Sequence, residues 1–258
     1  MKKYIAFSGG VESTTMCILY GASADAIFAD TGWEHAALYE QIKKVEARVR
    51  EIHGPQFRVI KVRGCKSHKG KDYHTLPDYI KAAKFFPSPR IRFCTRVFKV
   101  EPIDKFLREQ GECELMIGLN MDEQDREGNH GMMANVTYRY PLIENGITRG
   151  ACVKILEKAE LLPKFPAYMA RGGCVGCFFK SKREFEALAL LEPDEADAVA
   201  ELEESVQDER GKYYGIRDGI PNLKTFFENS RQMCLIPPEQ MYITSRDTHT
   251  PCGVFCHR

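Results

Sequence analysis

No run in this 258-residue chain is long and apolar enough to cross a membrane. The short apolar stretch behind Met1-Lys2-Lys3 falls short of a signal peptide. Both lacks lead to the expectation of a soluble, unexported, cytoplasmic protein. No internal repeat and no low-complexity tract is present, which argues against a stacked-repeat architecture. Net charge is nearly absent as well: 37 Lys and Arg stand against 36 Asp and Glu, leaving +1. Without an export signal, the ten cysteines do not read as a disulfide framework.

What is present is charge segregated along the chain. Arg58 to Lys99 holds 12 Lys and Arg against 2 Asp and Glu, whereas Glu184 to Arg210 holds 11 acidic residues against one Arg. The acidic run alternates with Leu, Val and Ala at helical spacing and reads as a solvated helix face. The basic run is rich in Gly, Pro, His and aromatics. It reads as a loop region with a short helix that meets a polyanion, with tRNA or DNA as candidate partners.

The 43% of hydrophobic residues suffices for one large domain or for a domain with an appendage. Lys3–Phe7, Ala24–Ala29, Phe57–Val62 and Glu114–Gly118 read as strands, with Tyr138–Ile143 as a fifth. Ser13–Tyr20, Glu34–His53, Thr95–Gln110 and Thr148–Leu161 read as helices; Leu38, Ile42, Val45, Val49 and Ile52 mark the buried stripe of the second. Strand and helix alternating in this way predicts an α/β fold with a doubly wound parallel sheet over residues 1–162. Residues 163–258 read as a smaller helical, cysteine-containing module, with helices at Lys182–Leu191 and Pro193–Glu209.

Ser8-Gly9-Gly10-Val11-Glu12-Ser13-Thr14 lies between the first strand and helix. A strand entering two glycines and leaving into a helix puts backbone N–H groups around an anion, and Ser8, Ser13 and Thr14 add hydroxyls. An ordinary tight turn is the competing reading. Cys174 and Cys177, a C-x-x-C on a glycine-rich turn, suit a soft metal. With the distant Cys252 and Cys256 they also fit a zinc ribbon. Cys17, Cys65, Cys113, Cys152 and Cys234 read as plain packing, and the histidines give little.

In order, the chain resembles the PP-loop of the ATP pyrophosphatases, or adenine nucleotide α-hydrolases, and more narrowly their phosphoadenylyl-sulfate (PAPS) reductase-like branch. The blocks that carry the likeness are Ser8-Gly9-Gly10-Val11-Glu12-Ser13, Phe28-Ala29-Asp30-Thr31-Gly32, Arg92-Phe93-Cys94-Thr95 with Lys99 and Pro102, Ile117-Gly118-Leu119-Asn120-Met121-Asp122-Glu123 with Arg126, and Tyr140-Pro141-Leu142 followed by the segment from Pro166 to Cys177. Glu12 stands where Asp is usual, Val11 where Lys is common, and Asn120 where Arg is often found. True sulfonucleotide reductases usually lack the intact Ser-Gly-Gly, so its presence here favours adenylation with pyrophosphate release.

The resemblance implies an adenine nucleotide, ATP, bound by Ser8, Gly9, Gly10, Ser13 and Thr14 with Asp30 and Gly118. Glu12 would support Mg2+, and Lys99 and Arg126 would stabilise charge at the α-phosphorus. It brings Cys94 to the C-x-x-C as a third ligand of an iron–sulfur cluster, with zinc as the alternative and Cys256 as the spare fourth ligand. Cys252-Gly253 resembles the terminal catalytic thiol of the reductases. Three functions follow: adenylation of an acceptor for sulfur transfer from an unidentified donor, sulfonucleotide reduction by Cys252, or a zinc-stabilised binder without catalysis. A homodimer is a candidate assembly.

Overall fold

The computed structural model describes residues 1–126, 133–207, 215–217, 219–220 and 222–233. Five strands form one sheet: β1 (Lys2–Ala6), β2 (Asp25–Ala29), β3 (Val59–Val62) and two more described below. Between the first three run α1 (Val11–Tyr20) and α2 (Ala36–His53). The expected loop region after β3 is more ordered than its composition suggests. It contains a hairpin, β4 (Lys66–His68) and β5 (Lys71–Tyr73), followed by α3 (Leu76–Ala83). Lys69 and Gly70 both take positive φ at the hairpin tip, which is the conformation a two-residue hairpin turn requires.

The helix expected over Thr95–Gln110 is built from three pieces. A single turn, α4 (Phe93–Thr95), passes into a π-helical stretch, Arg96–Val100, and then into α5 (Glu101–Glu109). Pro102 sits in the first turn of α5, where its missing N–H is tolerated. The widened turn is visible in the Glu101 N–H, which reaches back to the Arg96 carbonyl. Next come β6 (Cys113–Met116), a 3₁₀ segment (Met121–Arg126) and β7 (Val136–Arg139). The fifth strand ends earlier than expected because Pro141 opens a short helix, α6 (Pro141–Glu144). The chain continues through α7 (Arg149–Lys158), α8 (Lys182–Leu191), α9 (Pro193–Val206) and α10 (Leu223–Met233).

The strand order is β3-β2-β1-β6-β7 and every pairing is parallel. Alternation along the strands feeds two cores. Ile5, Phe7 and Phe28 pack with Leu38, Ile42, Val45 and Val49 of α2, Met16 and Cys17 of α1, and Leu156 of α7. Tyr4, Ala6, Ile27 and Ala29 face the other way, onto Ile103 and Leu107 of α5. Helices therefore cover both faces, which makes the sheet doubly wound. Order reverses between β1 and β6, so the crevice of such a sheet opens there, beyond the strands' carboxyl ends.

A third core joins α8, α9 and α10 to earlier residues: Phe185, Leu188, Val199 and Phe227 pack with Leu76, Ile80, Val97 and Phe98. Ser181 and Glu184 form a reciprocal cap on α8, the stabilising box expected at a helix start. His35 caps α2 through Nδ1, which accepts from the Ala37 N–H at 3.1 Å. Its Nε2 therefore donates to Glu192, 2.7 Å away, and Tyr168 donates to the same carboxylate at 2.8 Å.

Gly64 tests the packing of the π-helical stretch. A Cβ added there would stand 2.4 Å from the Val97 carbonyl oxygen and 2.7 Å from the Phe98 Cα, and backbone cannot step aside as a side chain can. Gly64→Ala is expected to cost about 1–3 kcal/mol, the range for overpacking, read as a lower urea midpoint. Gly150→Ala, whose nearest neighbour would be 3.9 Å away, should leave that midpoint unchanged or raise it slightly.

Candidate functional site

The loop between β1 and α1 has its conformation imposed from two sides. Gly9 holds φ at +75°, and a Cβ there would meet Leu38 Cδ1 at 2.4 Å. Glycine is thus needed both for the dihedral angle and for the space. Ser13 braces the turn: its Oγ accepts from the Ser8 N–H at 3.2 Å and lies 3.2 Å from Ser8 Oγ and 3.3 Å from the Gly10 carbonyl. Gly10 is the N-cap of α1 and no side chain caps it. The first-turn N–H groups of α1 are therefore available to an anion, in the partial positive field of the helix end.

This open helix end faces a cavity of about 770 Å³. Ser8, Gly10, Glu12, Ser13 and Gly118 are in its wall, together with Cys94, Lys99, Cys174 and Cys177. Gly9, Thr14 and Asp30 are not part of that lining. Gly118 comes so close that an added Cβ would lie 3.1 Å from the Ser13 nitrogen, which presses the end of β6 against the first turn of α1. The Thr14 hydroxyl is buried without a hydrogen-bond partner among the described residues.

Glu12 is engaged within the protein. Its Oε1 accepts from Asn120 Nδ2 at 3.1 Å and pairs with Arg149 Nη1. Arg149, which sequence reasoning did not single out, is exposed and lines the cavity. Its own N–H donates to Asp122 Oδ2 at 2.9 Å. Asn120 and Arg149 thus both engage Glu12 at Oε1.

Glu34 is the other residue that the sequence did not flag. Its side chain is fully buried, yet it reaches the cavity wall. Oε1 accepts from Thr31 Oγ1 at 3.0 Å, pairs with Lys99 Nζ at 3.2 Å and lies 3.6 Å from Cys174 Sγ. Oε2 has no partner among the described residues. Burial and then the Glu34 charge push the Cys174 thiol far above its usual range, despite Lys99 nearby. Burial lowers Lys180, against the pull of Glu184, Cys177 and Cys174.

Three thiols thus share one cavity wall, a donor chemistry suited to a soft metal. They are not drawn together around one point: among the described residues no three His, Cys, Asp or Glu side chains form a group that could hold a single metal ion. Cys252, Cys256 and the side chain of Arg126 lie outside the described residues. The basic stretch is partly neutralised where it stands, Arg58 by Asp25 and Arg63 by Asp30. Cys94, Thr95 and Lys99 from that stretch reach the cavity.

Asp30 is fully provided with donors. Oδ1 accepts from the Tyr39 hydroxyl at 2.7 Å and the Gly32 N–H at 2.9 Å, and Oδ2 from Arg63 at 2.9 and 3.2 Å. Burial pushes its carboxyl up, but the bonds from Tyr39, Gly32 and Arg63 together outweigh burial and hold it below the usual range. It fixes the loop that follows β2.

Residues 2–139, slightly more than half the chain, match the phosphoadenosine phosphosulfate reductase domain. An uncharacterized protein of Methanocaldococcus jannaschii is 26% identical over 204 residues, covering 71% of this chain and 39% of that protein. The chain thus spans about two fifths of that curated relative's length. A solved phosphoadenylyl-sulfate reductase of Candida auris, in its phosphate complex, superposes with a TM-score of 0.44 at 15% identity, over 62% of this chain and 73% of that one. Among the described residues no helix is long and apolar enough to cross a membrane.

Asp30→Asn should destabilise the fold at neutral pH by about 1.5–3 kcal/mol, the range for hydrogen bonds to a charged group, towards the lower end because Arg63 is exposed. A carboxyl held low contributes above the unfolded-state value and loses that contribution as pH falls through its folded value. The gap in denaturation midpoint between wild type and variant should therefore close on acidification below the ordinary carboxylate range. A gap that stays constant down to acid pH would contradict this account.

Proposed function

Because the chain belongs to the phosphoadenosine phosphosulfate reductase domain family, we propose that it binds an adenine nucleotide along the Ser8–Ser13 loop and, as a PP-loop ATP pyrophosphatase, adenylates an acceptor for sulfur transfer. The observation that supports this most is the uncapped start of α1, opening into a cavity that also receives Lys99, Cys94, Cys174 and Cys177. A helix end of this kind favours the negative charge of the phosphates. Gly118 in the cavity wall and Asp30, which fixes the loop after β2, are the further residues proposed for the nucleotide.

In the reaction an acceptor oxygen attacks the α-phosphorus of ATP. The new P–O bond forms as the bond to pyrophosphate breaks, and the departing charge stays with the α1 N-terminus and the Ser8 and Ser13 hydroxyls. Lys99, steadied by Glu34, and Arg126 are proposed to stabilise the charge that develops on the phosphorus oxygens. Glu12 would hold Mg2+ after releasing Arg149. Cys94, Cys174 and Cys177 are the thiols proposed as iron–sulfur ligands, with Cys256 as a fourth and zinc as the alternative metal. Such a cluster would supply sulfur or electrons, and the nucleotide half of the reaction proceeds without it. The basic stretch from Arg58 to Lys99 supports tRNA or DNA as the proposed acceptor class; a homodimer is the proposed assembly.

Family membership itself favours a second reading, reduction of a sulfonucleotide by Cys252. Pyrophosphate release separates the two. ATP with magnesium should yield AMP-linked product and pyrophosphate, and Ser13→Ala should slow that release by about tenfold or more. Sulfite release from a sulfonucleotide, with no pyrophosphate from ATP, would establish the reductase instead. Metal analysis after anaerobic purification tests the thiols separately: Cys94→Ser should lose metal, whereas full retention in Cys94→Ser with loss in Cys252→Ser and Cys256→Ser would place a zinc ribbon there.

A further inference from the structure

Arg171 and Lys180 in the cavity wall, and Arg92 packed on the same Phe179 ring as Arg171, are cations that the nucleotide chemistry leaves without a role. Arg92 Nε and Nη2 are both buried, and neither has a hydrogen-bond acceptor among the described residues. A guanidinium keeps its charge at any working pH and all its N–H groups are donors, so two buried, unanswered donors call for an anion. The guanidinium carbon of Arg92 stands 5.1 Å from the centre of the Phe179 ring, and that of Arg171 stands 5.7 Å from the same centre. Two like charges thus share one aromatic ring. No described carboxylate forms an ion pair with either.

Lys180, which follows Phe179 in the chain, is buried at 5% exposure, and its ammonium has no hydrogen-bonded acceptor among the described residues. Glu184, four residues on, accepts at both oxygens, from the Ala170 N–H at 3.2 Å and the Ser181 N–H at 2.7 Å. Arg171, Phe179 and Lys180 all line the cavity, as does Cys94, two residues beyond Arg92. The other cavity cations differ: Arg149 is answered by Glu12 and Lys99 by Glu34. Arg171 and Lys180 share the cavity lining with Cys174 and Cys177.

We propose that Arg92 and Arg171, flanking Phe179 with Lys180 beside them, form a second oxyanion site that takes a tetrahedral sulfate- or phosphate-type group of the second substrate. The planar guanidinium fork matches two oxygens of such a group. The aromatic ring offsets part of the repulsion between the two arginines while the site is empty. The group belongs either to a small oxyanion or to a phosphodiester of a nucleic acid. The site does not depend on the nucleotide reading, because its donors are distinct from those of the Ser8–Ser13 loop.

Calorimetric titration of the full chain with sodium sulfate tests it, with and without saturating ATP. Wild type should bind sulfate at this site whether or not ATP is present. Arg171→Gln and Arg92→Lys, checked for an unchanged melting curve, should each weaken the ATP-insensitive binding by about tenfold or more, the loss expected for a bidentate charged contact. Sulfate binding abolished by ATP in wild type, or unaltered in Arg171→Gln, would overturn the proposal. If ATP does not bind, the nucleotide reading fails, while the effect of Arg171→Gln on sulfate still decides this site. Titration with a single-stranded oligonucleotide names the source: parallel loss in Arg171→Gln assigns a phosphodiester, and unchanged oligonucleotide affinity with lost sulfate assigns a small oxyanion.

Discussion

A short antiparallel contact holds the two halves of the candidate site together. The His35 N–H donates to the Gly173 carbonyl at 3.0 Å and the Val175 N–H to the Trp33 carbonyl at 3.1 Å, around the bridge between Glu34 and Cys174. Backbone bonds of this kind fix position more firmly than side-chain contacts do. They fasten the glycine-rich turn with Cys174 and Cys177 to the loop that follows β2, at the same sheet edge as the Ser8–Ser13 loop. Gly176 tightens the junction further, since an added Cβ would lie 2.4 Å from the Trp33 ring. The His35–Glu192–Tyr168 bonds then hold the α8–α9 junction to the start of α2. Residues separated by more than a hundred positions face one cavity because of this seam.

The electrostatics of the cavity follow from which charges find answers nearby. Asp30 is wrapped by Tyr39, Gly32 and Arg63 and acts as a girder. Glu12 and Glu34 each bind one cation at one oxygen, and each thereby holds a cation at the cavity wall. The helix end at Gly10 contributes positive potential without any side chain. Basic residues at the sheet's far edge, such as Arg58 on Asp25, are neutralised locally, so the excess that reaches the cavity is smaller than the composition of the Arg58–Lys99 segment suggests.

Much of the fold was legible because it depends on local patterning. Four of the sheet strands and the buried stripe of α2 announce themselves by period and by flanking glycines. The hairpin at Lys66–Tyr73 did not, because its strands are three residues long, polar and joined by a Lys-Gly turn that resembles loop composition. Pro141 shortened the fifth strand by starting a helix. At the site, the Ser-Gly-Gly loop was visible as a motif, as were the cysteines. Glu34 and Arg149 were not, since a single Glu after a strand and a single Arg before a helix carry no pattern. Their roles arise from contacts across more than sixty residues of chain.

The π-helical stretch at Arg96–Val100 sets the phase of what precedes and follows it. On an α-helix, residues five apart differ by about 140° around the axis, so Cys94 and Lys99 would point to different sides. In a π-helical turn, hydrogen bonds join residues five apart, which draws such a pair towards one side. Cys94 and Lys99 do share the cavity wall. The widened turn therefore works as a phase correction: it lets the thiol and the ammonium reach the same cavity wall while α5 keeps Ile103 and Leu107 pressed to the sheet.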